Sequence, residues 1–218
     1  MKLLLTSAGI KNKSIVNALS GMVGKKLSET SLVFIPTASN VEKGDKSWLI
    51  DDLINLKKQG FKSIEIADIS AIDEKLWKLK FEKADILYFE GGNTFHLMEW
   101  INKSGLAKIL PELLKTKVYV GVSAGSCVVS KDLALKISQS IYLEDLDKTE
   151  NMEGLNFVDF YILPHLNSQY FNKVRKDFIE EATKGMSEKI YAIDDNSALK
   201  VVDGKIEVVS EGEWVAFN

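Results

Sequence analysis

A chain of 218 residues is long enough to form one sizeable α/β domain with a buried core. The apolar share of 45%, the charged share of 27% and the net charge of −3 describe an ordinary globular protein, and they argue against nucleic acid or an anionic membrane as a partner. The only cysteine, Cys127, excludes an intramolecular disulfide, and no apolar run approaches membrane-spanning length, so we expect a cytoplasmic protein.

Apolar strands alternate with amphipathic helices along the first 120 residues. Short continuous apolar runs predict buried strands, and apolar residues at helical spacing predict the helices between them. The predicted strands are residues 3–6, 32–36, 63–69, 86–89 and 118–120, and the predicted helices are residues 14–23, 45–59, 76–81, 94–102 and 107–114. This alternation indicates an α/β fold with a mostly parallel sheet sandwiched by helices.

The chain changes character after residue 130. Residues 131–153 are charged and irregular and are predicted to form a loop region, whereas residues 157–163 form a strand and residues 170–184 a helix. Four short strands follow at residues 190–193, 198–202, 206–209 and 214–217, with an Asp203-Gly204 hairpin turn between the middle two. We predict one domain, residues 1–218, whose α/β core carries a small antiparallel C-terminal tail.

The segment Val118–Ser126 predicts a nucleophile elbow, a sharp turn from strand to helix that exposes a serine hydroxyl. In Gly121-Val122-Ser123-Ala124-Gly125, a glycine lies two residues before and two residues after Ser123. Glycine suits both places, because a Cβ there would clash with the neighbouring backbone. The amide that follows the serine, that of Ala124, would face the reacting oxygen. The pentapeptide alone is equally compatible with a plain strand-to-helix turn.

Two further segments fall at strand ends, where ligands of parallel sheets gather. Gly91-Gly92-Asn93 follows the strand before the elbow, and its amides could supply a second oxyanion donor, although the segment also suits a helix cap. His165 follows a later strand and is the favoured general base for Ser123, whereas His96 falls inside a predicted helix.

The acid that would orient His165 is less clear from the sequence. We expect it between Ser123 and His165 and favour Glu144, with Asp145 next, because both follow the apolar patch 141–143.

Cys127 is expected to be a buried structural thiol. Two distant histidines and no Cys/His cluster argue against a metal, and the absence of a Gly-x-Gly-x-x-Gly motif argues against a dinucleotide, so no cofactor is expected.

Three motifs, taken together and in this order, resemble those of the peptidase E family of serine peptidases, whose relatives include cyanophycinase. They are Gly91-Gly92-Asn93-Thr94-Phe95, Gly121-Val122-Ser123-Ala124-Gly125-Ser126 and Leu163-Pro164-His165. The resemblance extends to about residue 195 and implies a fold related to class I glutamine amidotransferases. It implies that Ser123 is the nucleophile and His165 the base, with the Gly92 and Ala124 amides as oxyanion donors.

The sequence departs from the dipeptidase members of that family at one place. Those members carry an Asp and a substrate-binding Arg about fifteen residues after the nucleophile, but residues 136–141 contain neither. The acid could have moved to Glu144 or Asp145, or the triad could be incomplete, and strict Asp-X specificity is open.

Three hypotheses follow: a serine peptidase acting on short peptides, a related hydrolase of another amide or ester, and a non-catalytic binding protein. The sequence leaves open whether it is a monomer or a homodimer.

Overall fold

The computed structural model describes residues 1–132, 135–144 and 153–218, and for residues 135–138 it describes the backbone only. Its strands are β1 Lys2–Thr6, β2 Ser31–Ile35, β3 Ser63–Ile66, β4 Ile86–Phe89, β5 Val118–Val122, β6 Phe160–Leu163, β7 Lys189–Ile193, β8 Ser197–Val202, β9 Lys205–Ser210 and β10 Trp214–Phe217. Its α-helices are α1 Lys13–Val23, α2 Thr37–Asn40, α3 Ser47–Lys58, α4 Glu74–Lys83, α5 Thr94–Lys103, α6 Leu106–Leu113, α7 Ala124–Cys127, α8 Leu135–Tyr142 and α9 Lys176–Ala182.

The strands form two sheets. The larger has seven strands in the order β3-β2-β4-β5-β1-β8-β9. Its first five are mutually parallel, whereas β8 is antiparallel to β1 and β9 is antiparallel to β8. The smaller sheet has the order β10-β7-β6, with β6 and β7 parallel and β10 antiparallel to β7. The predicted mostly parallel sheet is confirmed, and the antiparallel tail strands are divided between the two sheets.

The alternation of side chains along each strand builds two cores, one on each face of the large sheet. On one face, β4 and β5 pack against α1 and α3. On the other face, the same strands pack against α4, α5, α6 and the small sheet. The small sheet therefore covers part of a face for which the sequence predicts only helices, and α8 and α9 pack on its far side.

Two predicted elements differ in the structure. The segment predicted as loop, residues 131–153, contains α8, whose Ile141 is buried against the small sheet. The helix predicted from Tyr170 begins only at Lys176. The guanidinium of Arg175 donates to the backbone carbonyls of residues 168, 171 and 174, and these bonds hold the preceding residues in turns.

Within the described ranges, no helix is both long and apolar enough to cross a membrane.

Candidate active site

Ser123 occupies the turn between β5 and α7, as the elbow interpretation predicts. Its φ of 46° and ψ of −106° lie outside the regions that L-residues favour, and such strain costs about 1–3 kcal/mol. The end of β1 holds the turn: the Ser123 amide donates to the Thr6 carbonyl at 3.1 Å, and the Ser126 hydroxyl donates to the same oxygen at 2.8 Å. The surrounding hydrogen bonds therefore impose the conformation that exposes the Ser123 side chain.

The glycines of the elbow are required by close backbone packing. A Cβ on Gly121 would lie 2.5 Å from the Gly125 carbonyl oxygen, and one on Gly125 would lie 2.2 Å from the Phe89 carbonyl oxygen. Real Cβ atoms do not approach backbone oxygens this closely, so the turn can pack against β4 only with glycine at both places.

Two glycine substitutions are expected to have opposite effects on stability. We predict that Gly125→Ala lowers the free energy of unfolding by about 3 kcal/mol, because the new methyl group must displace the backbone of β4. Gly21→Ala should raise it by about 0.5–1 kcal/mol, since Gly21 lies exposed within α1 with no atom within 4 Å of its ideal Cβ. Urea unfolding of both variants tests the pair, and a loss of stability in Gly21→Ala equal to that in Gly125→Ala would contradict it.

His165 lies beside Ser123 at the end of β6. Its Nε2 is 3.0 Å from Ser123 Oγ, and its side chain is 14% exposed. The backbone amide of His165, which has a φ of 68°, donates to Ser7 Oγ at 2.8 Å. The ring of Phe171 stacks on the imidazole with 4.5 Å between ring centroids and 15° between planes. Backbone and ring contacts together fix the orientation of the imidazole.

The carboxylate at the other imidazole nitrogen belongs to Asp195. Asp195 Oδ1 lies 2.8 Å from His165 Nδ1. Asp195 follows β7, and His165 follows β6, its parallel neighbour in the small sheet, so the two side chains emerge at the same edge. Asp194 shapes the turn between β7 and β8, because its Oδ1 accepts the Asn196 amide at 3.0 Å and the Ser197 hydroxyl at 2.6 Å.

The sequence-based choice of Glu144 for this place is wrong in the structure. The carboxylate of Glu144 accepts the backbone amide of Thr94, at the N-terminus of α5, rather than contacting His165. The amide groups at a helix N-terminus attract a carboxylate, which explains its position. The second choice, Asp145, lies outside the described residues.

Ser7 is a fourth polar residue of this group, and the sequence motifs do not predict it. Its buried hydroxyl donates to Asp195 Oδ1 at 2.7 Å and lies 3.4 Å from His165 Nδ1. Burial acts to raise the pKa of Asp195, but the hydrogen bonds from His165 and Ser7 and the charges of His165 and Lys11 outweigh it and lower that pKa to about 2. Asp195 is therefore ionised at neutral pH.

Loss of the Ser7 hydroxyl should weaken the site without abolishing it. In Ser7→Ala, Asp195 loses a donor and the His165 amide loses its acceptor, so we expect kcat for peptide hydrolysis to fall about tenfold. Ser47→Ala is the matched control, because it removes a serine-to-aspartate hydrogen bond of the same 2.7 Å length on the exposed surface. Steady-state kinetics would contradict the role of Ser7 if the two variants had equal kcat.

The Gly91-Gly92-Asn93 turn lies next to Ser123. A Cβ on Gly91 would be 3.2 Å from Ser123 Cβ, and one on Gly92, whose φ is 126°, would be 2.4 Å from the Ala38 carbonyl oxygen. Within the part of the chain that the structure describes, the amides of Gly92 and Ala124 have no hydrogen-bond acceptor. Asn93 Oδ1 accepts the His96 amide at 2.7 Å and caps α5, so its side chain is used structurally.

Cys127 lies one helical turn after Ser123 and is poorly suited to nucleophilic attack. Burial raises the pKa of its thiol well above the usual range, and the charge of Glu144 raises it further. Its Sγ lies 3.6 Å from the Ile162 carbonyl oxygen. Among the described residues, no group of three or more His, Cys, Asp and Glu side chains could hold a metal ion.

Comparison with known proteins identifies the family. The sequence matches the model of peptidase family S51 over residues 3–209. The chain belongs to peptidase family S51. An uncharacterized peptidase of Listeria monocytogenes is 31% identical over 196 residues, which cover 85% of this chain and 87% of the relative. The peptidase E of Shewanella oneidensis is 33% identical over 86 residues, which cover 39% of this chain and 34% of that protein.

Solved structures agree with this assignment. A crystal structure from Listeria monocytogenes, of a protein provisionally named peptidase E, has a TM-score of 0.79 and 28% identity and covers 97% of this chain and 98% of its own. A peptidase from an acI-B1 Actinobacterium has a TM-score of 0.67 at 18% identity, covers 99% of this chain and 96% of its own, and supports the fold alone. This S51 family member is a peptidase, a hydrolase that acts on peptides.

Proposed function

We propose that this S51 peptidase hydrolyses short peptides through an acyl-enzyme on Ser123, with His165 as general base and Asp195 as the residue that orients it. The observation that carries the proposal is the continuous series of contacts from Ser123 Oγ to His165 Nε2, at 3.0 Å, and from His165 Nδ1 to Asp195 Oδ1, at 2.8 Å. A serine, a histidine and a carboxylate in this order form the arrangement that activates a hydroxyl in serine hydrolases.

The proposed first step is attack of Ser123 Oγ on the carbonyl carbon of the scissile bond. His165 Nε2 takes the hydroxyl proton as the new C–O bond forms, and it then returns this proton to the leaving amine as the C–N bond breaks. Ionised Asp195 accepts a hydrogen bond from His165 Nδ1–H, which selects the productive tautomer and stabilises the imidazolium without transfer of that proton. In the second step His165 deprotonates water as it attacks the acyl carbon, the ester bond to Ser123 Oγ breaks, and His165 returns the proton to that oxygen.

The oxyanion of the tetrahedral intermediate would be held by the amides of Gly92 and Ala124. Both belong to turns adjacent to Ser123, and neither has an acceptor among the described residues. Two backbone amides that are already fixed in place need no reorganisation as negative charge develops, and removal of one such donor costs about 3–4 kcal/mol in other enzymes.

We propose that the first residue of the substrate is not restricted to aspartate. The sequence contains one arginine, Arg175, and its guanidinium donates to three backbone carbonyls near Phe171. This arginine is therefore already used within the fold, and a bidentate pairing with a substrate carboxylate would have to break those bonds. The exposed Lys131 could attract an acidic substrate only as a less directional charge.

A substrate panel tests the proposed specificity. Dipeptides that begin with Asp, Ala or Leu should all be cleaved by the wild-type protein, with values of kcat/KM that differ by less than about a hundredfold. β-Linked aspartyl peptides and simple esters of the same residues serve as comparison substrates. Cleavage of β-linked peptides or esters without cleavage of any α-linked dipeptide would favour a related hydrolase with another substrate, and cleavage of Asp-X alone would contradict the broad specificity.

A further inference from the structure

Two acidic side chains lie buried beside the Gly91-Gly92 turn, and the proposed mechanism gives them no role. Glu90, which directly precedes the turn, is 1% exposed, and Asp52 on α3 is 5% exposed. One oxygen of each carboxyl group, Glu90 Oε2 and Asp52 Oδ1, has no hydrogen-bond partner in the described structure. Two ionised carboxylates left in this state would carry a large desolvation cost, so an unobserved proton is the simplest way to satisfy both oxygens.

The remaining contacts of the pair come from three elements. The Tyr88 hydroxyl, on β4, donates to Asp52 Oδ2 at 2.6 Å, and the neighbouring Gly91 amide acts to lower the pKa of Glu90. Gly9 in the β1–α1 loop closes over the pair, since a Cβ there would lie 2.3 Å from Asp52 Oδ1. The positive charge that acts on both carboxyl groups is that of Lys11, on the same loop.

We propose that Asp52 and Glu90 share one proton, carried by Glu90 and donated to Asp52, and that this pair positions the Gly91-Gly92 turn beside Ser123. The hydrogen bonds explain which group is charged. Burial raises the pKa of Asp52 as well, but Asp52 accepts the Tyr88 hydroxyl, which favours its ionised form, whereas Glu90 is almost fully buried. Burial raises the pKa of Glu90 well above its usual range, and the charge of Asp52 raises it further.

The pair joins parts of the chain that meet at the active site. Through Tyr88 and Gly9 it contacts the loop that follows β1, the same loop that carries Ser7 to Asp195. Through its own backbone, whose amide donates to the Ile35 carbonyl at 3.1 Å, Glu90 fixes the start of the turn that would supply the Gly92 oxyanion donor. Loss of the shared proton would place two negative charges together in a buried site and displace this turn. The positioning role rests on the proposed function, whereas the shared proton does not.

The shared proton can be tested through the pH dependence of stability. Folded protein retains a proton on Glu90 that unfolded protein releases above its ordinary pKa of 4.5, so the stability contributed by this proton is lost as pH rises from 4.5 toward the raised folded pKa. In Glu90→Gln, the glutamine side-chain amide can still donate a hydrogen bond to Asp52, but it has no proton that is lost as the pH rises. Between pH 4.5 and the raised folded pKa of Glu90, the unfolding equilibrium constant of wild type should rise relative to that of Glu90→Gln by about tenfold per pH unit.

Asp51→Asn is the matched control, because Asp51 is exposed on the same helix and should follow wild type at every pH. Parallel stability curves for wild type and Glu90→Gln would overturn the shared proton. Infrared spectroscopy of wild type gives a second measurement that needs no variant. At neutral pH the folded protein should show the carbonyl band of a protonated carboxyl group, and this band should vanish on unfolding. A pair that held a metal cation instead would show no such band.

The positioning role has its own measurement. Glu90→Ala should lower kcat for dipeptide hydrolysis about tenfold or more, and Glu90→Gln should restore it to within about threefold of wild type, because glutamine keeps the donor to Asp52. The alkaline decline in kcat that accompanies loss of the shared proton should be absent in Glu90→Gln. Equal kcat and equal pH profiles for both variants and wild type would overturn the positioning role. The finding that Ser123 is not the nucleophile would overturn it too, and neither outcome would change the stability result.

Discussion

Ser123→Ala should lower kcat for peptide hydrolysis by roughly 10⁴-fold or more, the loss that follows removal of the nucleophile in other serine hydrolases. The geometry gives the reason. Ser123 Oγ is the hydroxyl that faces His165 Nε2. On α7, the Ser126 hydroxyl donates to the Thr6 carbonyl, and the Cys127 thiol stays protonated because burial raises its pKa. The substitution adds no atoms and should leave the free energy of unfolding unchanged or slightly raised, since the strain at φ 46° remains.

Ser130→Ala is the matched control for Ser123→Ala. Ser130 is also a serine close after β5, and its buried hydroxyl has no hydrogen-bond partner among the described residues. Its removal should leave kcat within about twofold of wild type and cost little stability. Steady-state kinetics with one cleaved dipeptide compares the two variants, and residual activity in Ser123→Ala above about a tenth of wild type would contradict the proposed nucleophile.

Asp195→Asn should lower kcat by about 10⁴-fold, as in other triads whose acid is replaced by its amide. The asparagine would fill the same space, but its amide group could present a donor to His165 Nδ1 and stabilise the unproductive tautomer. Glu144→Gln is the informative comparison, because Glu144 is the acid that the sequence favours. Its side chain binds the Thr94 amide, and glutamine keeps an oxygen there, so kcat should fall by less than about tenfold.

The lowered pKa of Asp195 determines how its contribution to stability depends on pH. The folded pKa of Asp195, about 2, lies below the ordinary value of 3.8, so its ionised form stabilises the fold fully above pH 3.8 and this contribution is lost as pH falls toward 2. The decline of activity in mildly acidic solution should therefore not come from protonation of Asp195. Glu144→Gln having a lower kcat than Asp195→Asn would contradict the assignment of Asp195 to the triad.

The fold could be predicted in large part because its strands are buried and short. Continuous apolar runs such as Ile86–Phe89 are recognisable from composition alone, and the helices between them show regular spacing. The division of the tail between two sheets could not be predicted, because β7 and β8 are both apolar and only three-dimensional packing decides which neighbour each strand pairs with. Helix α8 is not predicted from the sequence, because residues 131–153 are rich in charged residues and show no regular apolar spacing.

At the site, Ser123 and His165 could be found because each follows a strand and has distinctive neighbours. Asp195 is not predicted from the sequence, because the triad acid is expected among the acids between the serine and the histidine in the chain. The order of triad residues along a sequence is not fixed by chemistry, since only their positions in space matter. A usable signal was present: Asp194-Asp195-Asn196 directly follows an apolar strand, as His165 does, and ends of parallel neighbouring strands meet at one edge.

The most direct test of the proposed acyl-enzyme is to locate the covalent adduct. Wild-type protein treated with a serine-directed aminoacyl phosphonate, then digested and analysed by mass spectrometry, should carry one adduct per chain, on Ser123. Asp195→Asn should be labelled at least about a hundredfold more slowly, because formation of the adduct needs the same activation by His165. An adduct on Cys127, or equal labelling rates for wild type and Asp195→Asn, would contradict the account.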